Sequence, residues 1–209
     1  MNVWKPEITI GDIPLIVHAL LPVVSVCQQI VIVGGYQIEK LEQLIAGSEK
    51  LSKADHQKIE IVKNKKYAAG MFSSVKVGMA KADQSNDGIF VVPGDMPFID
   101  VDTYRKLAAS FQKNPDVDVF VPAAYADSGA REKPGGSKKG HPILMRQRIR
   151  PSILQENDDA VLRDVLKKKS SAICTVEDGG IFLDIDNEVD LERARANFGK
   201  VAISVNLRK

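Results

Sequence analysis

Residues 90–100, with the sequence FVVPGDMPFID, contain the most informative fold signal in the chain. An apolar run over 89–92 stops at Pro93 and Gly94, and Asp95 follows at once. Such a run predicts a buried parallel strand, and the Pro–Gly pair predicts that the strand ends there, at the edge of the sheet. Asp95 is therefore expected at the carboxyl end of a central strand, where open α/β sheets bind their ligands.

A carboxylate in that position has two interpretations. It can bind a hard divalent cation such as Mg²⁺, which takes one or two carboxylates and leaves its other coordination positions to water and phosphate oxygens. Alternatively, Asp95 only caps the helix that follows it. Position alone does not separate the two, so the other motifs of the chain have to decide.

Helical and strand patterns alternate along almost the whole chain, which predicts a three-layer α/β fold with a mostly parallel central sheet. The expected strands are 30–33, 58–62, 88–92, 117–123, 142–145, 172–176 and 182–185. The expected helices are 14–26, 37–46, 70–82, 101–112, 150–154, 160–168 and 189–198. Residues 127–139, rich in Gly, Ser, Pro and charge, predict a loop. At 209 residues without an internal repeat, the chain is expected to form a single domain, 1–209.

Composition excludes several classes of protein. The formal net charge of +2 gives no sign of a nucleic-acid partner. His18 and Pro22 interrupt the long apolar region over 13–33, which predicts a helix and a strand instead of a membrane span. The cysteines, Cys27 and Cys174, are isolated and show no metal-ligand or nucleophile pattern. We therefore expect a cytoplasmic protein that binds neither membranes nor nucleic acids.

A second acidic motif lies near the end of the chain, in the sequence LDIDN. On a strand, Asp184 and Asp186 would point to one face and Ile185 to the other. Asn187 is placed to cap the helix that follows. Either all three polar residues serve as caps, or one of the aspartates completes a metal site with Asp95 from a second strand end.

A third motif, GMFSS, begins at Gly70. A glycine followed by paired serines and a helical repeat is typical of a helix amino terminus, which presents free N–H groups and a partial positive charge. Ser73 and Ser74 could hydrogen-bond a base, a ribose or a phosphate. The alternative is a simple helix cap.

The fourth motif is Gly140-His141-Pro142. The glycine would let a backbone approach a ligand closely. His141 would then start a strand beside a loop that could close over a substrate, although a lone histidine is more often structural than catalytic.

Taken in order, the four motifs resemble the MobA/MocA-like nucleotidyltransferases, which transfer a nucleotide from GTP or CTP to molybdopterin. The resemblance covers nearly the whole chain. It implies a Rossmann-like fold of the nucleotide-diphospho-sugar transferase type and Mg²⁺ as the cofactor. It also implies a metal site at Asp95 with Asp186 as the preferred second ligand and Asp184 as the alternative.

The resemblance further assigns residues to the two substrates. The expected nucleotide-binding residues are Lys5, Gly70, Ser73, Ser74, Pro93 and Gly94. The expected acceptor-binding residues are Gly140, His141 and Pro142. Asp95, Asp186 and Lys5 are the expected catalytic residues.

One departure from the family pattern concerns the amino terminus. The family opens with a strand and a glycine-rich loop, L-A-A-G-x-S-x-R-M-G-x-x-K, which cradles the triphosphate. Here Met1 corresponds to the methionine of that loop, Asn2 to its second glycine and Lys5 to its lysine, so the strand and most of the loop are missing. Either a strand and loop precede Met1 in the full-length protein, which we favour, or the protein is a degenerate relative.

The resemblance implies Mg²⁺-dependent transfer of CMP or GMP from CTP or GTP to a phosphorylated acceptor, with release of pyrophosphate. Molybdopterin is the preferred acceptor, and a molybdoenzyme or maturation factor is an implied partner. The alternatives are a sugar- or alcohol-phosphate nucleotidyltransferase and a catalytically impaired nucleotide- or cofactor-binding protein.

Overall fold

The computed structural model describes residues 4–125 and 137–196. The strands in these ranges are β1 Thr9–Ile10, β2 Ile13–Pro14, β3 Ile30–Gly34, β4 Ile59–Lys63, β5 Gly88–Val91, β6 Val119–Ala124, β7 Lys138–Lys139, β8 Ile143–Arg146 and β9 Ser171–Thr175. The helices are α1 Leu15–Val26, α2 Ile38–Ala46, α3 Lys53–Lys58, α4 Met71–Lys81, α5 Val101–Lys113, α6 Arg150–Gln155, α7 Leu162–Leu166 and α8, residues 188–196. Short 3₁₀ helices occur at Lys5–Glu7, Tyr67–Ala69, Gln147–Ile149 and Gly179–Phe182.

The strands form two separate sheets and a small hairpin. β3 and β4 pair in parallel, and β1 pairs with β2. In the larger sheet β8 lies between β5 and β6 and is antiparallel to both, whereas β9 is parallel to β6 and β7 is antiparallel to it. The α/β class is confirmed, and the larger sheet is mixed. Within the described residues, no strand pairing joins the β3–β4 sheet to the larger one.

The larger sheet has helices on both faces, which gives the three expected layers. On one face Phe90 and Leu144 pack with Leu107 of α5. On the other face Ile89 and Met145 belong to a cluster that includes side chains of α4, α6 and α7. Neighbouring residues of β5 thus serve opposite faces, as the period-2 geometry of a strand requires.

The smaller sheet packs against α1 and α2. Ile30 and Ile32 of β3 join Val17, Leu20 and other residues of α1 in a large apolar cluster, against which Phe90 and Val92 also pack. The two sheets therefore share a core, although they share no backbone pairing among the described residues. In the part of the chain that the structure describes, no helix is both long and apolar enough to cross a bilayer.

Several predicted elements need correction. The strand expected at 182–185 is wrong: Gly179–Phe182 form a 3₁₀ helix, which starts where the Asp178 side chain accepts a hydrogen bond from the Gly180 N–H at 2.8 Å. β5 is half-buried and pairs antiparallel with β8, because the chain runs back along it after residue 142. The helix expected over 160–168 is shorter, Leu162–Leu166.

The remaining differences concern local signals and residues outside the described ranges. Helix α3 was not expected from sequence, although Ser52 and Asp55 form a capping box at its start. Of the loop predicted at 127–139, residues 127–136 lie outside the described residues, and its end contains β7. Residues 197–198 of the predicted last helix also lie outside them.

Candidate active site

The turn that follows β5 positions Asp95. β5 ends at Val91, and the side chain of Asp95 is one-third exposed (33 %). The turn is held from both sides: the backbone carbonyl of Asp95 accepts a hydrogen bond from the Ile185 N–H at 3.1 Å. Asp178 accepts hydrogen bonds from the Asp100 N–H at 2.9 Å and from the hydroxyl of Thr103 at 2.7 Å. These bonds connect the Asp95 segment to the second acidic motif.

Lys5 lies between the two acidic motifs. Its ammonium is 2.6 Å from Asp186 Oδ1 and 3.9 Å from Asp95 Oδ2. The 3₁₀ helix that carries Lys5 is anchored by an ion pair between Glu7 and Lys40. One cation therefore reaches both carboxylates that the sequence assigns to a metal site.

The alternation predicted for the second acidic motif is confirmed, although the segment is not a ladder strand. Asp184 and Asp186 are exposed, while Ile185 between them is fully buried at 0 %. The Asn187 side-chain oxygen accepts a hydrogen bond from the Asp190 N–H at 3.0 Å, which confirms its capping role for α8. Because Asn187 caps α8, the side chain of Asp186 is not needed as the cap and can face the Asp95 turn.

The two carboxylates have different electrostatic environments. Burial is the main cause that raises the pKa of Asp95, and the nearby Asp186 and Asp184 raise it further, while its backbone hydrogen bond and Lys5 lower it. The hydrogen bond from Lys5 is the main cause that lowers the pKa of Asp186. Lys5 thus stabilises negative charge more strongly on Asp186 than on Asp95.

His141 lies near the carboxylates of Asp95 and Asp184. Burial lowers its pKa, and the neighbouring charges of Asp95 and Asp184 act in the opposite direction. Its backbone N–H donates to the carbonyl of Ile181 at 3.1 Å. Within the described residues, its Nδ1 is buried and has no hydrogen-bond partner. The net lowering of the pKa favours a neutral imidazole at the edge of the acidic cluster.

The sequence predicted that Gly140 allows close approach to a ligand, whereas in the structure the close neighbour is the protein's own backbone at Ile181. A Cβ added at Gly140 would lie 2.3 Å from the Ile181 carbonyl oxygen. The Gly140 N–H donates to the carbonyl of Pro122 at 2.9 Å, and Pro142 is buried. This segment is therefore clamped between β6 and the 3₁₀ helix Gly179–Phe182.

The start of α4 forms a second polar group. Gly70 caps the helix with φ of 110°, a conformation that glycine adopts easily, and its free side is open. Ser73 is 3 % exposed, and its hydroxyl donates to the Gly70 carbonyl at 2.7 Å. The amide of Asn64 donates to Ser73 at 2.8 Å and to Ser74 at 3.0 Å. Ser73 is therefore held inside the protein, while the half-buried Ser74 stays nearer the surface.

A cleft of about 360 Å³ adjoins this second group. Three lysines and one carboxylate line it: Asp158 binds Lys66 and Lys76, each at 2.8 Å, and Lys65 lies beside them. The hydrogen bonds from Lys66 and Lys76 lower the pKa of Asp158 to about 2. One carboxylate therefore faces three lysines, and the cleft keeps a net positive charge.

The structure thus brings Lys5, Asp95, Asp184, Asp186 and His141 into one cluster, next to the turn formed by Pro93 and Gly94. Gly70, Ser73 and Ser74 belong to the separate polar group at the start of α4. Within the described residues, no group of three or more His, Cys, Asp and Glu side chains could hold a metal ion by itself. A metal at the cluster would need further ligands from water or substrate.

Sequence reasoning missed two residues that shape these groups. Asn64 is 2 % exposed and connects β4 to the start of α4. A polar residue directly after an apolar strand could have signalled it. Asp178 connects the Asp95 segment to the second acidic motif, and the Asp-Gly-Gly sequence, typical of a turn, could have indicated its role.

An α/β fold with a carboxylate turn directly after a sheet strand and a glycine at a helix start is typical of nucleotide-binding domains. Comparison with protein families agrees: the family model of the MobA-like NTP transferase domain matches residues 1–173. The chain belongs to this family and is a nucleotidyltransferase.

Solved structures share this fold at low sequence identity. Rv0371c from Mycobacterium tuberculosis H37Rv is 18 % identical, with a TM-score of 0.69 and coverage of 94 % of this chain and 91 % of that one. The synthase of 4-diphosphocytidyl-2C-methyl-D-erythritol from Anaerococcus prevotii DSM 20548 is 13 % identical, with a TM-score of 0.72 and coverage of 93 % of both chains. A CMP:2-keto-3-deoxy-manno-octonic acid synthetase, solved with CTP, is 14 % identical, with a TM-score of 0.66 and coverage of 94 % and 92 %. Rv0371c has also been solved as a manganese complex. No curated protein matches the chain.

Proposed function

We propose that this protein transfers CMP or GMP from CTP or GTP to a phosphorylated acceptor and releases pyrophosphate, with Mg²⁺ as cofactor. The observation that carries the proposal is the position of one cation, Lys5, within 3.9 Å of both Asp95 and Asp186. Two carboxylates that converge on one cation at a sheet edge form a suitable place for a metal–triphosphate complex.

The donor set fits a hard divalent cation. Asp95 and Asp186 supply carboxylate oxygens, and the Lys5 ammonium acts as a stand-in ion between them. Mg²⁺ commonly uses one or two carboxylates and completes its shell with water and phosphate oxygens, so two protein ligands suffice. The chemistry that such an ion supplies is stabilisation of the charge that develops on the α-phosphate. The manganese complex of Rv0371c supports the same class of cation.

The residues of the chain have distinct tasks in this proposal. Asp95 and Asp186 orient the metal-bound triphosphate, and Lys5 neutralises phosphate charge. An acceptor phosphate is already an anion at neutral pH, so it can attack the α-phosphate in line without a general base. A neutral His141 is compatible with this chemistry, because its task is then to line the acceptor side with Gly140.

Molybdopterin is the acceptor that we propose first, since the family description names MobA-like enzymes. CTP is favoured over GTP by two of the structural neighbours, one named for a diphosphocytidyl product and one solved with CTP. The neighbour named for a diphosphocytidyl product also favours a second candidate, a sugar- or alcohol-phosphate acceptor.

Pyrophosphate release measured with each nucleotide and each acceptor class tests the proposal. We expect turnover with Mg²⁺, one preferred nucleotide and molybdopterin, and a nucleotidylated product in the mass spectrum. Turnover only with sugar or alcohol phosphates would replace the first acceptor by the second. Binding of nucleotide without turnover on any acceptor would instead support an impaired binding protein.

The ranking of the two exposed aspartates can be tested directly. We expect Asp186→Asn to raise the Mg²⁺ concentration needed for half-maximal activity by about tenfold or more, the effect of losing one charge-assisted contact. Asp184→Asn is the matched control and should change it by less, because Asp184 makes no direct contact with Lys5 in the structure. Mg²⁺ titrations of both variants decide the ranking, and a larger effect in the Asp184 variant would reverse it.

We expect substitution of the two serines of α4 to have different effects, mainly on stability at Ser73 and mainly on nucleotide binding at Ser74. Ser73→Ala should destabilise the protein by about 1–3 kcal/mol, because the buried amide of Asn64 loses a partner. Ser74→Ala also removes a partner of the Asn64 amide, but Ser74 lies nearer the surface, so this variant should lower the melting temperature less than Ser73→Ala and weaken nucleotide binding. Thermal melts and calorimetric titrations with CTP and GTP measure both effects. A Ser74 variant with unaltered nucleotide affinity would contradict the proposed contact.

A further inference from the structure

The contact between Lys5 and the two carboxylates is partly open to solvent. The side chain of Lys5 is 37 % exposed and that of Asp186 is 62 % exposed. Exposed ion pairs of this kind stabilise a protein little and exchange partners readily. A lysine is also a flexible point charge on a long stem, so its ammonium can move while its backbone stays in place.

This contact conflicts with two of the tasks assigned above. An ammonium at 2.6 Å from Asp186 occupies the space next to the oxygen that a metal ion would bind at about 2.1 Å. The same ammonium cannot bind triphosphate oxygens while it remains between the carboxylates. The Lys5 side chain therefore has to take one position in the nucleotide-free protein and another in the protein with bound metal–nucleotide complex.

Building on the proposed function, we propose that Lys5 is an exchangeable resident cation. In the nucleotide-free protein its ammonium holds Asp95 and Asp186 together and offsets their repulsion. A divalent ion replaces it when the metal–nucleotide complex binds, and the released ammonium moves to the triphosphate. When nucleotide is absent, Lys5 therefore competes with the metal ion for the two carboxylates. When nucleotide is present, Lys5 stabilises the bound metal–nucleotide complex.

Mn²⁺ binding, followed by the electron paramagnetic resonance signal of the free ion, tests this exchange. Without nucleotide, Lys5→Met should bind Mn²⁺ about two- to fivefold more tightly than the wild type, the range that an exposed ion pair supports. With CTP or GTP present, the same variant should bind the Mn²⁺–nucleotide complex more weakly. The control is Lys167→Met, which removes an exposed lysine whose partner is Asp164 on α7 and should change neither value.

The outcomes separate this inference from the proposed function. Equal or weaker Mn²⁺ binding by nucleotide-free Lys5→Met overturns the exchange and leaves the metal site in place, provided that Asp95→Ala lowers Mn²⁺ binding. If neither the wild type nor Lys5→Met binds Mn²⁺ with or without nucleotide, the metal site and the exchange are both wrong.

A second measurement uses the wild-type protein and does not depend on folding of a variant. Mg²⁺ should increase the labelling of Lys5 by an amine-reactive reagent, because the ammonium leaves its carboxylate partners. Adding nucleotide should then lower the labelling again, as the triphosphate covers the amine. Peptide mass spectrometry reports Lys5 and, as an internal reference, Lys167 in the same sample. Unchanged labelling of Lys5 with Mg²⁺ overturns the exchange.

Discussion

Asp95→Ala is expected to abolish metal-dependent nucleotidyl transfer and to leave the fold intact. The side chain lies on a turn outside the apolar clusters, and the contact of this turn with Ile185 uses the backbone carbonyl, which the substitution keeps. Loss of a main metal ligand removes several kcal/mol of transition-state stabilisation, which corresponds to a fall in rate of about a thousandfold or more.

Pyrophosphate release at saturating Mg²⁺, with circular dichroism as the folding check, measures this effect. Asp102→Ala is a suitable control, because it removes an exposed carboxylate whose partner is Arg105 on the following turn of α5. The control variant should retain wild-type turnover. Activity of the Asp95 variant within a few-fold of the wild type would remove Asp95 from the catalytic site.

Gly140→Ala is expected to lower both stability and activity. The added Cβ would lie 2.3 Å from the carbonyl oxygen of Ile181, and that atom belongs to the backbone, so it cannot rotate away. The same carbonyl accepts the hydrogen bond from the His141 N–H, so relief of the clash displaces His141 as well. We expect a loss of about 1–3 kcal/mol, the usual cost of overpacking.

A neighbouring glycine provides the control for this prediction. A Cβ added at Gly179 meets no atom within 4 Å, so Gly179→Ala should be nearly neutral. Chemical denaturation of both variants gives the free energies of unfolding, and the pyrophosphate assay gives their turnover. Equal stability of the two variants would show that the segment at Gly140 adjusts without cost.

Local patterns were sufficient to predict most of the fold. The alternation of Ile89 and Phe90 between opposite faces of the larger sheet follows from the period of a strand, and the helices that cover those faces follow from their own spacing. The three layers are therefore encoded in short-range periodicity. The pairing of β5 with β8 is not, because the direction of a neighbouring strand depends on residues more than fifty positions away.

The candidate site was predictable in part. The grouping of Asp95 with Asp186 follows from their places after strand-like segments, and the alternation of Asp184, Ile185 and Asp186 survives even though the segment forms no ladder. The segment leaves the sheet because Asp178 starts a turn ahead of it, a tertiary arrangement that hydrophobic pattern does not contain.

The position of Lys5 shows where sequence reasoning ends. Family resemblance indicated that this lysine contacts phosphate, and nothing in the pattern of charges placed it against two carboxylates that lie 90 and 181 residues further along the chain. The burial of Ser73 was likewise hidden, since its partner Asn64 lies outside the motif and a serine at a helix start is equally typical of a surface cap.

The break between the two sheets has a consequence for self-association. Among the described residues, β3 and β5 each have a single hydrogen-bonded neighbour. The other edge of each strand therefore leaves main-chain donors and acceptors unpaired within those residues, and such edges are templates on which a further extended chain can add. At high protein concentration we therefore expect molecules of this chain to associate edge to edge through backbone hydrogen bonds, largely independently of what the active site binds.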